Sequence, residues 1–399
     1  MAVHEPHGTD DLAGAVIGVV GAGTMGAGIA QVALEAGHEV VLYDVDEEAL
    51  ERGVERVRVG LGRRAAKLEL DADSIDDWVD GRVSNLRTAV TLDAVGAAVD
   101  VAIEAALEVL DLKRTIFRAL DREAPPDALL ATNTSALSVT AIAVATSRPG
   151  HVLGLHFFNP APLMPLVEVV RGAQTDDDAV ARAVALMERW DKTPVVADDA
   201  PGFIVNRVNR PFTLEALAML EAGEASIQEI DAAVRSAGYP MGPFELMDLT
   251  GVDVTLAATR GIHEGFLGRG DPLADRFRPS ARQVQQVEAG RLGRKTGAGF
   301  YTYDGGVAVP SETLDPATRD RIIERIELAI ANEAYRARDE GVAGEDDIDR
   351  ALRLGAGHPA GPFERWAERG GAPELRVRLE AFRELGPRFA PSPGLARPG

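Results

Sequence analysis

Two ionisable residues sit inside apolar runs in residues 154–170, GLHFFNPAPLMPLVEVV: His156 in HVLGLHFF and Glu168 in LVEVV. Both runs are rich in valine, leucine and phenylalanine, and a turn at Asn159-Pro160 parts them, so each predicts a buried strand. A carboxylate or imidazole alone in an apolar layer is costly, so the two are expected to satisfy each other. A histidine oriented by a carboxylate is equipped for general acid–base work. A structural core histidine beside an edge glutamate accounts for the segment about as well when it is taken alone. The rest of the chain decides between them.

Near the start, the apolar run VIGVV opens into GAGTMG and then AGIAQVALEAG, so Gly21, Gly23 and Gly26 fit G-x-G-x-x-G. The first glycine makes a tight turn, the second lets backbone approach a pyrophosphate, and the third lets the helix pack closely. Thr24 and Met25 open that helix, whose free amides suit an anion. Asp44 closes the next strand, EVVLYD, 18 residues after Gly26, where an acid bonds the ribose hydroxyls and repels a 2′-phosphate. This pattern predicts NAD rather than NADP. Between Arg52 and Lys67 stand six basic residues (Arg52, Arg56, Arg58, Arg63, Arg64, Lys67) against one acid, Glu55, and residues 69–80 then hold six acids and no base. Such an island in an acidic protein suggests a polyphosphate-bearing ligand; the bland reading is a hairpin whose arms neutralise each other. VDVAIEA and LLATNTS predict two more strands, and ligands gather at the carboxyl ends of parallel strands, which places Glu108, Asn133 and Ser135 near a cofactor crevice. Asn206 is a lone amide among apolar residues early in a helix, at a change of architecture where substrates bind.

The elements that must hold these residues alternate strand and helix up to about residue 200, with a helical hairpin inserted at 46–80. Beyond it the chain reads as helices, so a doubly wound α/β unit at 14–200 precedes a helical domain at 201–304. IQEIDAAVRSAGYPMGPFELMD (227–248) is echoed by DDIDRALRLGAGHPAGPFERWA (346–367) with one residue inserted, the two GPFE motifs lying 119 residues apart. A second, degenerate helical copy is therefore expected at 310–386. The proline-rich residues 387–399 are expected to be a mobile tail. A length of 399 residues suits such a multidomain chain. The net charge of −21 speaks against nucleic acid and anionic membranes. No cysteine is present, no metal is expected, and the polar start MAVHEPHGTDDLAG lacks a signal-peptide pattern, so a soluble cytoplasmic protein is expected.

With these pieces in order, the chain resembles the L-3-hydroxyacyl-CoA dehydrogenase family, including its 3-hydroxybutyryl-CoA and 3-hydroxyadipyl-CoA members. GAGTMGAGIAQ, ATNTSALS, GLHFFNPAPLMPLVEVV, PGFIVNR, GYPMGPFELMD and GRKTGAGFY carry the resemblance over about residues 14–304. It implies a Rossmann-like NAD domain followed by helical domains of the 6-phosphogluconate dehydrogenase C-terminal-like type. It implies His156 as the catalytic base with Glu168 as its partner, and substrate contacts at Ser135 and Asn206. Beyond the glycine turn it implies NAD contacts at Asp44, Glu108, Lys113 and Lys295, and a coenzyme A contact at Lys67 beside Arg63. Gly60 stands where the family often has serine. Three of the chain's four lysines thus fall on ligand positions of the family. An acyl-CoA substrate and a pseudo-dimeric monomer or homodimer follow from the resemblance. Two other classes fit parts of the chain: a dehydrogenase of a free hydroxy acid, as in gulonate-oxidising relatives, and a non-enzymatic protein of the same fold, as in lens crystallins.

Overall fold

Strands form where apolar, β-branched residues run without alternation, as a sheet covered on both faces requires. The computed structural model describes residues 12–303 and 314–396. Most of the polar leader, the start of the expected second copy and the last three residues of the tail therefore lie outside the described residues. The chain divides into two units between Asp199 and Ala200.

The first unit holds one sheet of β1 (Val16–Val20), β2 (Glu39–Tyr43), β3 (Leu86–Thr88), β4 (Val101–Glu104), β5 (Leu129–Thr132), β6 (Val152–Phe157), β7 (Leu166–Arg171) and β8 (Thr193–Asp198). Their order is β3-β2-β1-β4-β5-β6-β7-β8, and neighbours are parallel except β6 and β7. The reversal arises at the proline-rich turn after His156, which lets β7 return directly beside β6 without a crossover helix. β3 has no counterpart in the sequence reading, because its three residues, LRT, are mostly exposed. Helices α1 (Thr24–Glu35), α2 (Glu47–Lys67), α3 (Ala72–Val83), α4 (Leu92–Gly96), α5 (Leu110–Glu123), α6 (Val139–Ala143) and α7 (Asp177–Arg189) connect the strands. α1 is buried from Gly26 to Leu34 and carries almost no charge, so it packs into the core on every side. α2 is polar, with a narrow buried stripe of Gly53, Val57, Leu61 and Ala65, and Asp46 caps its start by accepting from Glu48 N and Ala49 N.

The second unit holds α8 (Val205–Val208), α9 (Arg210–Glu221), α10 (Ile227–Ser236), α11 (Pro243–Thr250), α12 (Val252–Gly268) and α13 (Ala281–Glu288). A second run follows: α14 (Pro316–Asp339), α15 (Glu345–Ala356), α16 (Pro362–Glu368), α17 (Gly371–Ala381) and α18 (Pro393–Ala396). The repeated motif builds the same device twice. Asp231 accepts from Phe244 N and Glu245 N at 3.0 and 3.1 Å, and Asp349 accepts from Phe363 N and Glu364 N at 2.9 and 2.8 Å.

The copies meet reciprocally. Arg207 donates to Glu333 at 2.6 Å while Arg325 donates to Glu215 at 2.7 Å, and each arginine stands 118 residues from its counterpart, as do the glutamates. Arg276 supports Glu333, and Arg388 supports Glu215 in the same manner. A Cβ on Gly238 would lie 3.3 Å from Pro359, and one on Gly357 would lie 3.1 Å from Pro240. Contacts that exchange partners in this way define an approximate twofold axis between the copies. Arg388 lies beyond residue 386, so contacts between the copies extend into the residues expected to form a tail. Asn332 on α14 donates to Arg388 O and Ala390 O and accepts from Ser392 N, and Phe389 and Leu395 are buried. The side-chain amide satisfies a proline-rich stretch that has few backbone donors of its own.

Candidate active site

The glycine turn joins β1 to α1. Gly21 has φ +105°, and a Cβ there would meet Ala105 O at 2.7 Å; a Cβ on Gly26 would fall 1.7 Å from Gly21 O. At those two positions only glycine fits the turn. Gly23 differs: its Cβ would meet nothing within 4 Å, and no side chain caps α1. The turn therefore leaves open space and unpaired amides where an anion can approach. Asp44 ends beside it, its Oδ2 accepting from Ala22 N at 2.8 Å and its Oδ1 from Asp46 N at 3.1 Å. The acid thus braces the turn as well as closing β2. These residues fit a dinucleotide.

At the other strands, the register pairs His156 on β6 with Glu168 on β7. His156 Nδ1 and Glu168 Oε2 are 2.6 Å apart, with both side chains buried. A carboxylate only accepts, so Nδ1 carries the proton and Nε2 is the nitrogen for acid–base chemistry. The Phe158 ring lies 4.6 Å from the imidazole, centre to centre. Asn133 at the end of β5 accepts from Phe157 N at 2.8 Å, tying the two strand ends together one residue from His156. Ser135 is exposed on the following turn, its N donating to Glu108 Oε1 at 2.9 Å. Glu108 Oε1 also accepts from Thr134 Oγ1 at 2.5 Å and Ala136 N at 3.1 Å. Burial pushes the Glu108 carboxyl up, but Lys113 and these hydrogen bonds outweigh it and hold it below its ordinary value.

A groove of about 670 Å³ runs between α1, α2 and the 160–163 turn. Arg56, Arg63, Arg64 and Lys67 line it, with Gln31, Pro160 and Leu163 opposite. One ion pair joins the two arms of the hairpin, Arg58 with Asp80 at 2.7 Å, whereas Arg63 and Lys67 enter no ion pair among the described residues.

These features fit one known group. A family model described as 3-hydroxyacyl-CoA dehydrogenase, NAD binding domain matches residues 16–200, and its C-terminal domain counterpart matches residues 202–303 and 322–395. The chain belongs to the 3-hydroxyacyl-CoA dehydrogenase family. It is 36% identical to the 3-hydroxyadipyl-CoA dehydrogenase of Escherichia coli K12, over 90% of this chain and 92% of that protein. It is 41% identical to the 3-hydroxybutyryl-CoA dehydrogenase of Bradyrhizobium diazoefficiens, which covers 74% of this chain and is matched over 97% of its own length. Among solved structures, a 3-hydroxybutyryl-CoA dehydrogenase from E. coli K12 superposes with a TM-score of 0.86 at 34% identity, covering 95% of this chain and 97% of its own. The protein is thus an NAD-dependent oxidoreductase of this family.

In this dehydrogenase the structure places Lys113, expected as a cofactor contact, against two carboxylates. Its side chain is 1% exposed, and its ammonium lies 2.7 and 2.9 Å from the oxygens of Glu104 and 3.3 Å from Glu108 Oε2. The ammonium has three donors, and these carboxylates occupy them. Glu104 also accepts from Thr132 Oγ1 at 2.7 Å and Ala106 N at 2.7 Å, so a fully buried acid holds the lysine that holds Glu108 against the Ser135 turn. Glu104 escaped the sequence reading, although an acid inside VAIEAAL is the same signal that marked His156. Gln31 escaped it too. Its Oε1 would lie 2.0 Å from a Cβ on Gly60, so its amide occupies the place a serine side chain would take there. Lys295 and Asn206 belong to the second unit, where Lys295 Nζ meets Asp253 Oδ1 and Oδ2 at 2.6 and 2.8 Å. Among the described residues no helix is long and apolar enough to cross a membrane.

Proposed function

We propose that the enzyme interconverts an L-3-hydroxyacyl-CoA and the corresponding 3-oxoacyl-CoA, with His156 as the general acid–base. The buried His156–Glu168 pair, 2.6 Å apart, carries the reading. In oxidation His156 Nε2 takes the proton of the 3-hydroxyl as carbon 3 becomes a carbonyl carbon. Glu168 keeps the imidazole in one tautomer and balances the charge it gains. In reduction the imidazolium returns that proton to the oxygen. Bound NAD supplies the hydride acceptor or donor. Gly21, Gly23, Thr24, Met25, Gly26 and Asp44 hold the dinucleotide, with Glu108, Asn133 and Lys295 as further contacts. Ser135 and Asn206 fix the reacting oxygen or the thioester carbonyl. Arg63 and Lys67, on the groove wall and without an ion pair among the described residues, take the phosphates of coenzyme A. The acyl portion corresponds to substrates such as those named for its relatives, 3-hydroxybutyryl-CoA and 3-hydroxyadipyl-CoA. The second helical copy occupies the place of a partner, so the chain acts as a monomer, and the lack of cysteine supports a cytoplasmic location.

The test is reduction of acetoacetyl-CoA by NADH against reduction of free acetoacetate. Turnover of the thioester alone is expected, and equal turnover of the free acid would favour the gulonate-type reading. His156→Gln is expected to lower the rate by about 10²–10⁴ while NADH binding survives, because the residue handles the proton and not the dinucleotide. Near wild-type turnover by that variant would remove His156 from the role.

A further inference from the structure

Three of the four lysines fall on ligand positions of the family, and Lys192 is the fourth. It is 9% exposed, and its ammonium enters no ion pair among the described residues. Burial pulls its pKa below the ordinary lysine value. A cation in such a place needs dipoles, and two main-chain carbonyls supply them: Nζ donates to Ala161 O at 2.7 Å and to Met164 O at 2.9 Å. The chain bends sharply to bring it there. Asp191 has φ +54°, a left-handed conformation that glycine usually fills, and α7 closes with Asp191 N on Glu188 O at 3.1 Å and Lys192 N on Met187 O at 3.0 Å. Thr193 N then donates to Pro165 O at 2.7 Å, so two consecutive residues satisfy three carbonyls of one turn.

That turn is the proline-rich segment between β6 and β7, and it forms a wall and not a piece of core. Of residues 160–165 only Ala161 is buried, seated where a Cβ on Gly28 would lie 3.2 Å from its own. Pro162 and Leu163 line both the groove of about 670 Å³ and a second cavity of about 330 Å³, which Lys192 also lines. Packing cannot fix a segment with open space on two sides. Pro160, Pro162 and Pro165 bring no N–H of their own. Leu163 N and Met164 N both donate to Pro160 O, which curls the turn without tying it to its surroundings. The ammonium of Lys192 supplies that tie.

We propose that Lys192 is a positioning residue for the substrate: by holding Ala161 O and Met164 O it fixes the groove wall opposite Arg63 and Lys67, and so sets affinity for the thioester. The proposal rests on the reading of that groove as the coenzyme A site. Proton transfer is not its task. The His156–Glu168 pair is held by the strand register and by Asn133 Oδ1 on Phe157 N, neither of which passes through Lys192. Losing the ammonium therefore loosens the wall and leaves the acid–base pair in place.

The experiment compares acetoacetyl-CoA with acetoacetyl-N-acetylcysteamine, which keeps the reacting end and lacks the nucleotide. The wild type is expected to prefer the first. Lys192→Met should raise KM for acetoacetyl-CoA about tenfold, while kcat and the KM for NADH stay within about twofold. For the truncated thioester kcat/KM should also stay within about twofold, because it does not span the groove. Lys192→Arg keeps donors for the carbonyls and should recover part of the lost affinity. Leu163→Ala should cost less in Lys192→Met than in the wild type, since the wall it trims is already loose. An unchanged KM for acetoacetyl-CoA in Lys192→Met would overturn the proposal. So would a fall in kcat or an equal loss on both thioesters, which marks damage to the acid–base pair or to the fold. Should Lys192→Met not fold, Lys192→Arg reads the same split between the two thioesters. A wild type that used both equally well would refute the coenzyme A reading of the groove, and this proposal with it.

Discussion

Polar side chains inside apolar strands form the central pair of the candidate site. His156 and Glu168 are legible from sequence because each interrupts a run of valine, leucine and phenylalanine. Glu104 obeys the same rule, and the structure ties it to Lys113, which the resemblance alone had assigned to the cofactor. The two assignments predict different losses. Lys113→Met leaves Glu104 charged and fully buried, so stability should fall by about 3–5 kcal/mol, and adding Glu104→Gln should restore part of it. Thermal unfolding of both variants checks this. A Lys113→Met protein with wild-type Tm and weakened NADH binding would return the lysine to the cofactor.

The helical elements of the second unit show how a motif acts through its position. Gly-x-Pro-x-Gly-Pro-Phe-Glu occurs twice, and the two copies pack their Gly-x-Pro segments against each other. The middle residue is Tyr239 in one copy and His358 in the other, their rings 5.0 Å apart. His358 Nε2 reaches Asn209 Oδ1 at 2.8 Å, and burial, with Arg365 nearby, lowers its pKa to about 3. In the unfolded chain the same histidine titrates near its ordinary value of about 6.5. Below that pH the unfolded chain binds a proton that the folded chain refuses. The stability contributed by neutral His358 is thus full above pH 6.5 and is lost as pH falls toward 3. The expected slope from this group is about 1.4 kcal/mol per pH unit. Denaturant unfolding between pH 7 and 5 should show a shallower decline for His358→Gln than for the wild type. Parallel profiles would mean that other groups set the acid limit.

For the molecule as a whole, the second copy gives the first a partner within the same chain. The Bradyrhizobium relative aligns over 74% of this chain and 97% of its own length, so it lacks most of that copy. Removing residues 310–399 would leave Arg207 without Glu333 and Glu215 without Arg325. Two truncated chains could restore both contacts, because Glu215 stands in the first copy where Glu333 stands in the second. The truncated protein is expected to form a twofold dimer, with Arg207 of one chain on Glu215 of the other, while the full chain stays monomeric. Light scattering of both checks this. Glu215→Lys in the truncated chain should prevent pairing, and a soluble truncated monomer with an intact Glu215 would refute the arrangement.

Local chemistry explains what the sequence determined unaided. Apolar runs, glycine spacing and the repeated GPFE motif depend on neighbours a few residues away, so they announced the α/β sheet, the dinucleotide turn and the duplication. β3 escaped because three mostly exposed residues carry no periodicity. The tail escaped because proline content speaks only for the local chain, whereas Asn332 reaches it from nearly 60 residues away, 56 to Arg388 and 60 to Ser392. Tertiary structure alone decided which ionisable groups neutralise one another. Opposite charges attract through space, so no spacing in the sequence distinguishes Lys113, paired with Glu104, from Lys67, which enters no ion pair among the described residues. Nor does any spacing show that Arg207 finds a glutamate 126 residues away while Arg210, three residues on, finds none among the described residues.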